Sequence, residues 1–145
     1  MSNFLKGYTM GSYNEVGIAN FRIALLIITY FIQALTYYKL AEKAKLENRW
    51  IAFIPILQFI LFFHIINRSA WYILFGLLAL IPFVGPLVLA VLSIYWSVKF
   101  YQAFGIETLL IVIAVIIPFV GYIVQLYMAF SESVEYQITN EYQVY

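Results

Sequence analysis

The sequence predicts an all-α, polytopic integral membrane protein of about four transmembrane helices, with proline and glycine breaks in the spans. Three observations lead there. Hydrophobic residues fill 65% of the 145 positions and charged residues 10%, against roughly 45–50% apolar content in soluble domains. The apolar residues gather into four runs separated by short polar stretches, and about 20 apolar residues suffice for a helix to cross a bilayer. Within three of those runs, prolines interrupt residues that would otherwise continue as helix, a pattern that membrane helices tolerate when neighbouring groups satisfy the freed backbone.

Residues 1–17 read as a short polar, turn-rich tail, without the basic start and early apolar core of a secretory signal. The first span is expected over 18–38. It leads into the most charged stretch of the chain, Lys39 to Arg49, whose good helix formers would carry the helix out of the bilayer. The second span, 50–66, is about 25 Å long as a helix and carries Pro55 near its start.

The third apolar run, 70–98, would be about 43 Å long as one helix, more than a core of about 30 Å needs. Pro86 cannot donate to the carbonyl four residues earlier, so a break is expected there. The reading is a kinked single span; the alternative is a hairpin of two arms, each too short to cross. The fourth span is expected over 109–130, followed by an acidic polar tail, 131–145.

Ile81-Pro82-Phe83-Val84-Gly85 recurs as Ile117-Pro118-Phe119-Val120-Gly121, an offset of 36 positions. Crossing in opposite directions, the two copies would place Pro82 and Pro118 near the midplane, where broken-helix transporters hold substrate. Alternatively, Gly85 and Gly121 are notches that let helix backbones approach one another.

Positive charge is retained on the cytoplasmic side of a membrane. The 39–49 loop carries four Lys or Arg, which sets this loop inward and both termini on the non-cytoplasmic side. Trp50 and Trp96 then fall at the inner boundary and Trp71 at the outer one. Arg22 lies inside the first span, four residues from its start, and would snorkel to the interface, with Glu15 or the C-terminal glutamates as partners. His64 ends the second span, where it could titrate near neutrality. Gln33, Gln58 and Gln125 stand in different spans and read as interhelical hydrogen-bonding groups.

Several function classes drop out. The net charge of +1 with scattered basic residues gives no footprint for nucleic acid. No cysteine, no Asp and a single His make a metal site an unfavourable expectation, and no cofactor is expected. Ser93 and Ser97 come closest in sequence to Lys99, but the spacing does not make a serine–lysine dyad on a helix. No catalytic carboxylate pair falls within a span.

From Trp50 onward the chain resembles a family of small prokaryotic membrane proteins of unassigned function, some of which carry signal-peptidase names. The resemblance rests on Trp50-Ile-Ala-Phe-Ile-Pro55-Ile, Arg68-Ser-Ala-Trp71, Ile81-Pro82, Lys99-Phe-Tyr-Gln-Ala-Phe-Gly105 and Ile117-Pro118. Leu57-Gln58 stands where the family usually has Tyr-Asn, and Ile106-Glu107-Thr108-Leu109 where it usually has a glycine-rich stretch. The resemblance implies a multi-pass protein of a bacterial or archaeal cytoplasmic membrane with proline-broken helices, and no activity. The expected role is a non-enzymatic membrane component, in contact with the lipid bilayer, that acts through helix contacts with itself or a larger membrane partner. The alternative is a small oligomeric transporter or channel.

Overall fold

The computed structural model describes residues 2–142, with side chains from residue 15 onward; Met1 and residues 143–145, which belong to the two expected tails, lie outside the described residues. All regular structure is helical, and no β-strand forms among the described residues. The chain divides into two compact units, Met1–Gln33 and Ala34–Tyr145.

The first unit is the N-terminal part of helix α1, Ser2–Lys43. The helix takes in residues 2–17, expected as a non-helical tail. No proline interrupts this stretch, and glycine in a helix costs only about 1 kcal/mol against alanine. From Glu15 to Lys43 the helix has 29 residues at a mean hydropathy of 1.7, long and apolar enough to cross a membrane.

The second unit contains the end of α1 and three helical hairpins. The first consists of the 3-10 helix Arg49–Phe53 and α2, Gln58–Ile65. In the second, the 3-10 helix Ala70–Leu80 is followed by α3, Val84–Gln102. The third pairs α4, Thr108–Ile116, with α5, Pro118–Phe130. The segments 50–66, 70–98 and 109–130, each expected as one span, with 70–98 kinked or alternatively a hairpin, are therefore each two arms.

One local cause recurs in all three. A proline excludes the preceding residue from the helical region, because its Cδ meets that residue's backbone. Ile54, Ile81 and Ile117 each precede a proline and are extended, with φ/ψ of −110/115, −87/112 and −112/99. Each isoleucine amide still closes its own arm, on the carbonyls of Ile51, Leu78 and Ile113. Pro118 then opens α5 at a position where a missing N–H costs nothing.

Pro86, expected to make the break, lies instead in the first turn of α3, where amides have no helical acceptor in any case. The second turn is made by Pro82 and Phe83. Phe83 has φ 63 and ψ −55, and the Val84 amide donates to the Pro82 carbonyl at 2.7 Å. This is a γ-turn of the strained hand, with a side chain at positive φ.

The arms fold back, so that each hairpin's two ends meet. The rings of Tyr72 and Phe75, early in the second hairpin, contact Trp96, late in it, at 6.2 and 5.9 Å. One cleft is lined by Glu47 and Asn48 from the entry of the first hairpin and by His64 from its exit. A second is lined by Arg68 and Lys99, and a third by Glu107 and Ser133. These three bases share a core of Leu40, Leu61, Phe100, Phe104 and Met128, all at most 2% exposed. Phe100 stacks on Phe62 at 5.1 Å, and Trp96 meets Phe63 edge-on at 5.0 Å.

Residues 131–142, read in the sequence as a free acidic tail, form a strap across the bases. Val134 and Gln137 lie at the third hairpin, Ile138 at the second, and Glu141 and Tyr142 at the first. The Gln137 amide donates to the Ala103 carbonyl at 2.8 Å. Tyr136 packs on Phe104 at 5.4 Å and donates to the Ile65 carbonyl at 2.6 Å. Lys43 ties the strap to α5, its ammonium donating to the carbonyls of Met128, Ser131 and Val134. All three of its protons are thereby used.

Candidate functional site

The residues singled out in the sequence fall into two groups. Pro55, Pro82 and Pro118 occupy equivalent, exposed positions at the three hairpin tips. Gly85 and Gly121 are buried three residues beyond their prolines, where each faces the carbonyl seven residues back. A Cβ on Gly85 would lie 1.7 Å from the Leu78 oxygen, and one on Gly121 2.6 Å from the Ala114 oxygen. These glycines are notches within a hairpin, admitting one arm's backbone to the other.

Gln58 holds the same position in the first hairpin, three residues after Pro55. Its Nε2 donates to the Ala52 carbonyl at 2.6 Å. Ile54-Pro55-Ile56-Leu57-Gln58 is thus a third copy of the repeat, with a side-chain hydrogen bond in place of close backbone approach. The sequence reading found two copies and treated Pro55 and Gln58 separately.

Gln125 is half-buried and bonds the Tyr101 phenol, which itself donates to the Gly121 carbonyl at 3.2 Å. α3 is in this way tied to the third hairpin beside its glycine notch. His64 is half-buried at a hairpin base, with its ring stacked on Tyr142 at 4.1 Å. Its carbonyl accepts from the Asn140 side chain, so the residue has a structural role in holding the strap. Arg22 is exposed on α1 and Gln33 is half-buried. The Ser93 hydroxyl donates back to the Ala90 carbonyl at 2.8 Å, along its own helix.

Of the tryptophans, Trp96 is buried in the core of the bases, where an interfacial anchor had been expected. Trp50 and Trp71 are exposed at the starts of the first and second hairpins. All three consequently stand toward the bases.

The arrangement gathers charge at the bases. Lys39, Lys43, Lys45, Arg49, Arg68 and Lys99, six of the eight Lys and Arg residues, lie in the second unit at or next to its loops. Glu42 accepts from Lys39 at 2.8 Å and lies 3.4 Å from Arg49. The tips, by contrast, present Ile56, Phe83 and Phe119, which are 69, 93 and 72% exposed. What sequence reasoning missed is the proximity of Arg68 to Lys99 and the work of Lys43, Tyr136 and Asn140. None of these residues departs from its surroundings in composition, and only the folding back of the arms brings them together.

Among the described residues all regular structure is helical, and two helices are long and apolar enough to cross a membrane, or three if the bent pair of α2 and the 3-10 helix Ala70–Leu80 is one span, which is the make-up of a helical membrane protein. The model of a family of unknown function, DUF5684, matches residues 50–138, more than half of the chain, and the chain belongs to that family. The matched range opens with the first hairpin and ends in the strap, so the three hairpins are what the chain has in common with the family. No curated protein and no solved structure matches the chain.

Proposed function

We propose that the protein is a non-enzymatic component of a cytoplasmic membrane that crosses it once, through α1, and inserts three proline-turned hairpins from the cytoplasmic side. Its action is to dock through those hairpins on a second copy or on a larger membrane partner. A prokaryotic membrane accords with the family resemblance noted from Trp50 onward.

The distribution of basic residues supports this orientation. With the hairpins folded back, Arg68 joins Lys99 and the 39–49 loop on one side, whereas four straight spans would put it opposite them. A cytoplasmic base then holds six of the eight Lys and Arg residues. In this reading the strap lies inside, which differs from the expectation that the acidic tail faces outward.

The observation that carries docking is the exposure of the apolar tips on short arms. The arms of the first and third hairpins rise about 10–20 Å from their bases, so Ile54 to Leu57 and Ile116 to Pro118 end inside a hydrocarbon core about 30 Å thick. Irregular backbone at that depth persists only where protein or enclosed water covers it. The clefts at the bases lie away from Pro82 and Pro118 and lend no support to the transport alternative.

The chain has no cysteine, so Ile56→Cys or Phe119→Cys introduces a single crosslinking point. In native membranes either variant is expected to crosslink into a dimer or a larger defined adduct, while Ser133→Cys in the strap does not. Recovery of monomer alone from both tip variants would contradict the reading.

A further inference from the structure

The cleft at the base of the second hairpin differs from its two neighbours in charge. It encloses about 340 Å³ and is lined by Arg68, Lys99, Asn67, Gln102 and Tyr95, with Ile138 of the strap beside them. Among the described residues, no carboxylate lines it. The cleft of the first hairpin has Glu47 and Glu141, and that of the third has Glu107 and Glu135. Two cations facing one cleft repel each other unless an anion lies between them.

Both cations are held in place by the fold. Arg68 follows Asn67, which has φ 54 at the end of α2. The Asn67 amide donates to the His64 carbonyl at 3.0 Å and the Arg68 amide to the Phe63 carbonyl at 2.8 Å. That pair of bonds is the Schellman arrangement, with Asn at the left-handed position. The Arg68 guanidinium then lies 5.9 Å from the Tyr72 ring centre. Lys99 stands in the last turn of α3, where the helix dipole favours a cation, 6.0 Å from the ring centre of Tyr95. Asn67 and Gln102 add neutral amides able to donate to an oxyanion.

An apolar track leaves the cleft along α3. Counting back from Lys99, Tyr95, Val91 and Val88 recur at helical spacing, and they are 47, 63 and 39% exposed. A phosphate group with an acyl chain attached would meet cations at one end and this exposed face along its length.

We propose that this cleft binds the phosphate-bearing headgroup of an anionic phospholipid, through Arg68 and Lys99, with an acyl chain along Tyr95, Val91 and Val88. The site lies at the cytoplasmic surface in the orientation given above, and the inference rests on that membrane reading. Its role is to fix the second hairpin at headgroup level, with its tip in the hydrocarbon.

The test uses the full chain in nanodiscs of phosphatidylcholine containing phosphatidylglycerol, with retained lipid read by native mass spectrometry. Arg68→Gln and Lys99→Gln are each expected to reduce retained phosphatidylglycerol about fivefold, and the double variant about thirtyfold. Retained phosphatidylcholine stays unchanged. Lys45→Gln, an exposed cation elsewhere at the bases, leaves retention unaltered, as does Arg68→Lys, which keeps the charge. Glycerol 3-phosphate at millimolar concentration is not expected to displace the lipid. Displacement would assign the cleft to a free phosphate and overturn the lipid assignment. Equal retention by the double variant, or an equal loss with Lys45→Gln, would overturn the site. If the chain leaves the nanodisc for the aqueous fraction, the membrane reading itself fails.

Discussion

At Gly85 and Gly121 the absence of a Cβ sets how tightly a hairpin can close. Alanine at either position puts a methyl group against a backbone carbonyl, Leu78 or Ala114, that cannot move without opening the turn. Gly85→Ala and Gly121→Ala are each expected to destabilise the detergent-solubilised protein by about 1–3 kcal/mol, read as a lowered thermal unfolding midpoint. Gly76→Ala is the control, because nothing lies within 4 Å of its added Cβ, and it is expected to leave the midpoint unchanged or raised. The two glycines were legible in the sequence because the five-residue segments around them are identical. The third copy was hidden by chemistry: Gln58 keeps the contact between the arms by reaching the Ala52 carbonyl with its side chain, so the position is retained and the residue type is not.

Among the elements, the strap is where sequence and structure differ most. Its polar and acidic composition gives no sign of packing, yet Tyr136 holds two anchors, donating to Ile65 and accepting from Asn140 at 2.7 Å. Burial pushes the Tyr136 phenol above its usual range, and the hydrogen bond from Asn140 opposes this in part. A phenol whose folded pKa is raised stabilises the fold fully below its unfolded value near 10, and that contribution is lost as pH rises through the folded value. The strap therefore stays latched across the physiological range. Tyr136→Phe removes the hydroxyl and leaves the Ile65 carbonyl without this donor, a local loss of about 1–2 kcal/mol. Hydrogen exchange is expected to accelerate over 131–142 while the cores of α3 and α5 stay protected. Uniform acceleration would instead make the strap part of one cooperative unit.

The hairpins show why the apolar runs were legible and their paths were not. Hydropathy counts residues in an apolar environment, and a run of given length scores the same whether it goes straight or doubles back. The excess length of 70–98 pointed to a break, read as a kink in a single span with folding back as the alternative. By contrast 50–66 and 109–130 have the length of a single span, and only the extended Ile54 and Ile117 turn them. The 3-10 form of Ala70–Leu80 has no signal in the sequence that we can identify. Its consequence is clear: at about 2 Å per residue, 11 residues rise about 22 Å and so run alongside most of the longer α3.

For the whole molecule, the helical membrane class was legible from composition, and membership of a family without an assigned activity agrees with the resemblance seen from Trp50. The folding back of the arms was not legible, because the charge bias was weighed on a four-span path that set Arg68 apart from the other basic loops. Folding back the three segments unites six of the eight basic residues, the three tryptophans and the strap at one end of the second unit, and leaves the apolar tips at the other. Lys43 joins that end together through three carbonyls of α5 and the strap.

Single-cysteine accessibility in intact cells tests the central claim most directly, using Ser69→Cys between the first two hairpins and Ser133→Cys in the strap, with a membrane-impermeant maleimide. One crossing with three hairpins requires both cysteines to stay unlabelled until the membrane is permeabilised, and then to react together. Labelling of both from outside, with Glu107→Cys protected, would contradict the account and restore four full spans with proline breaks.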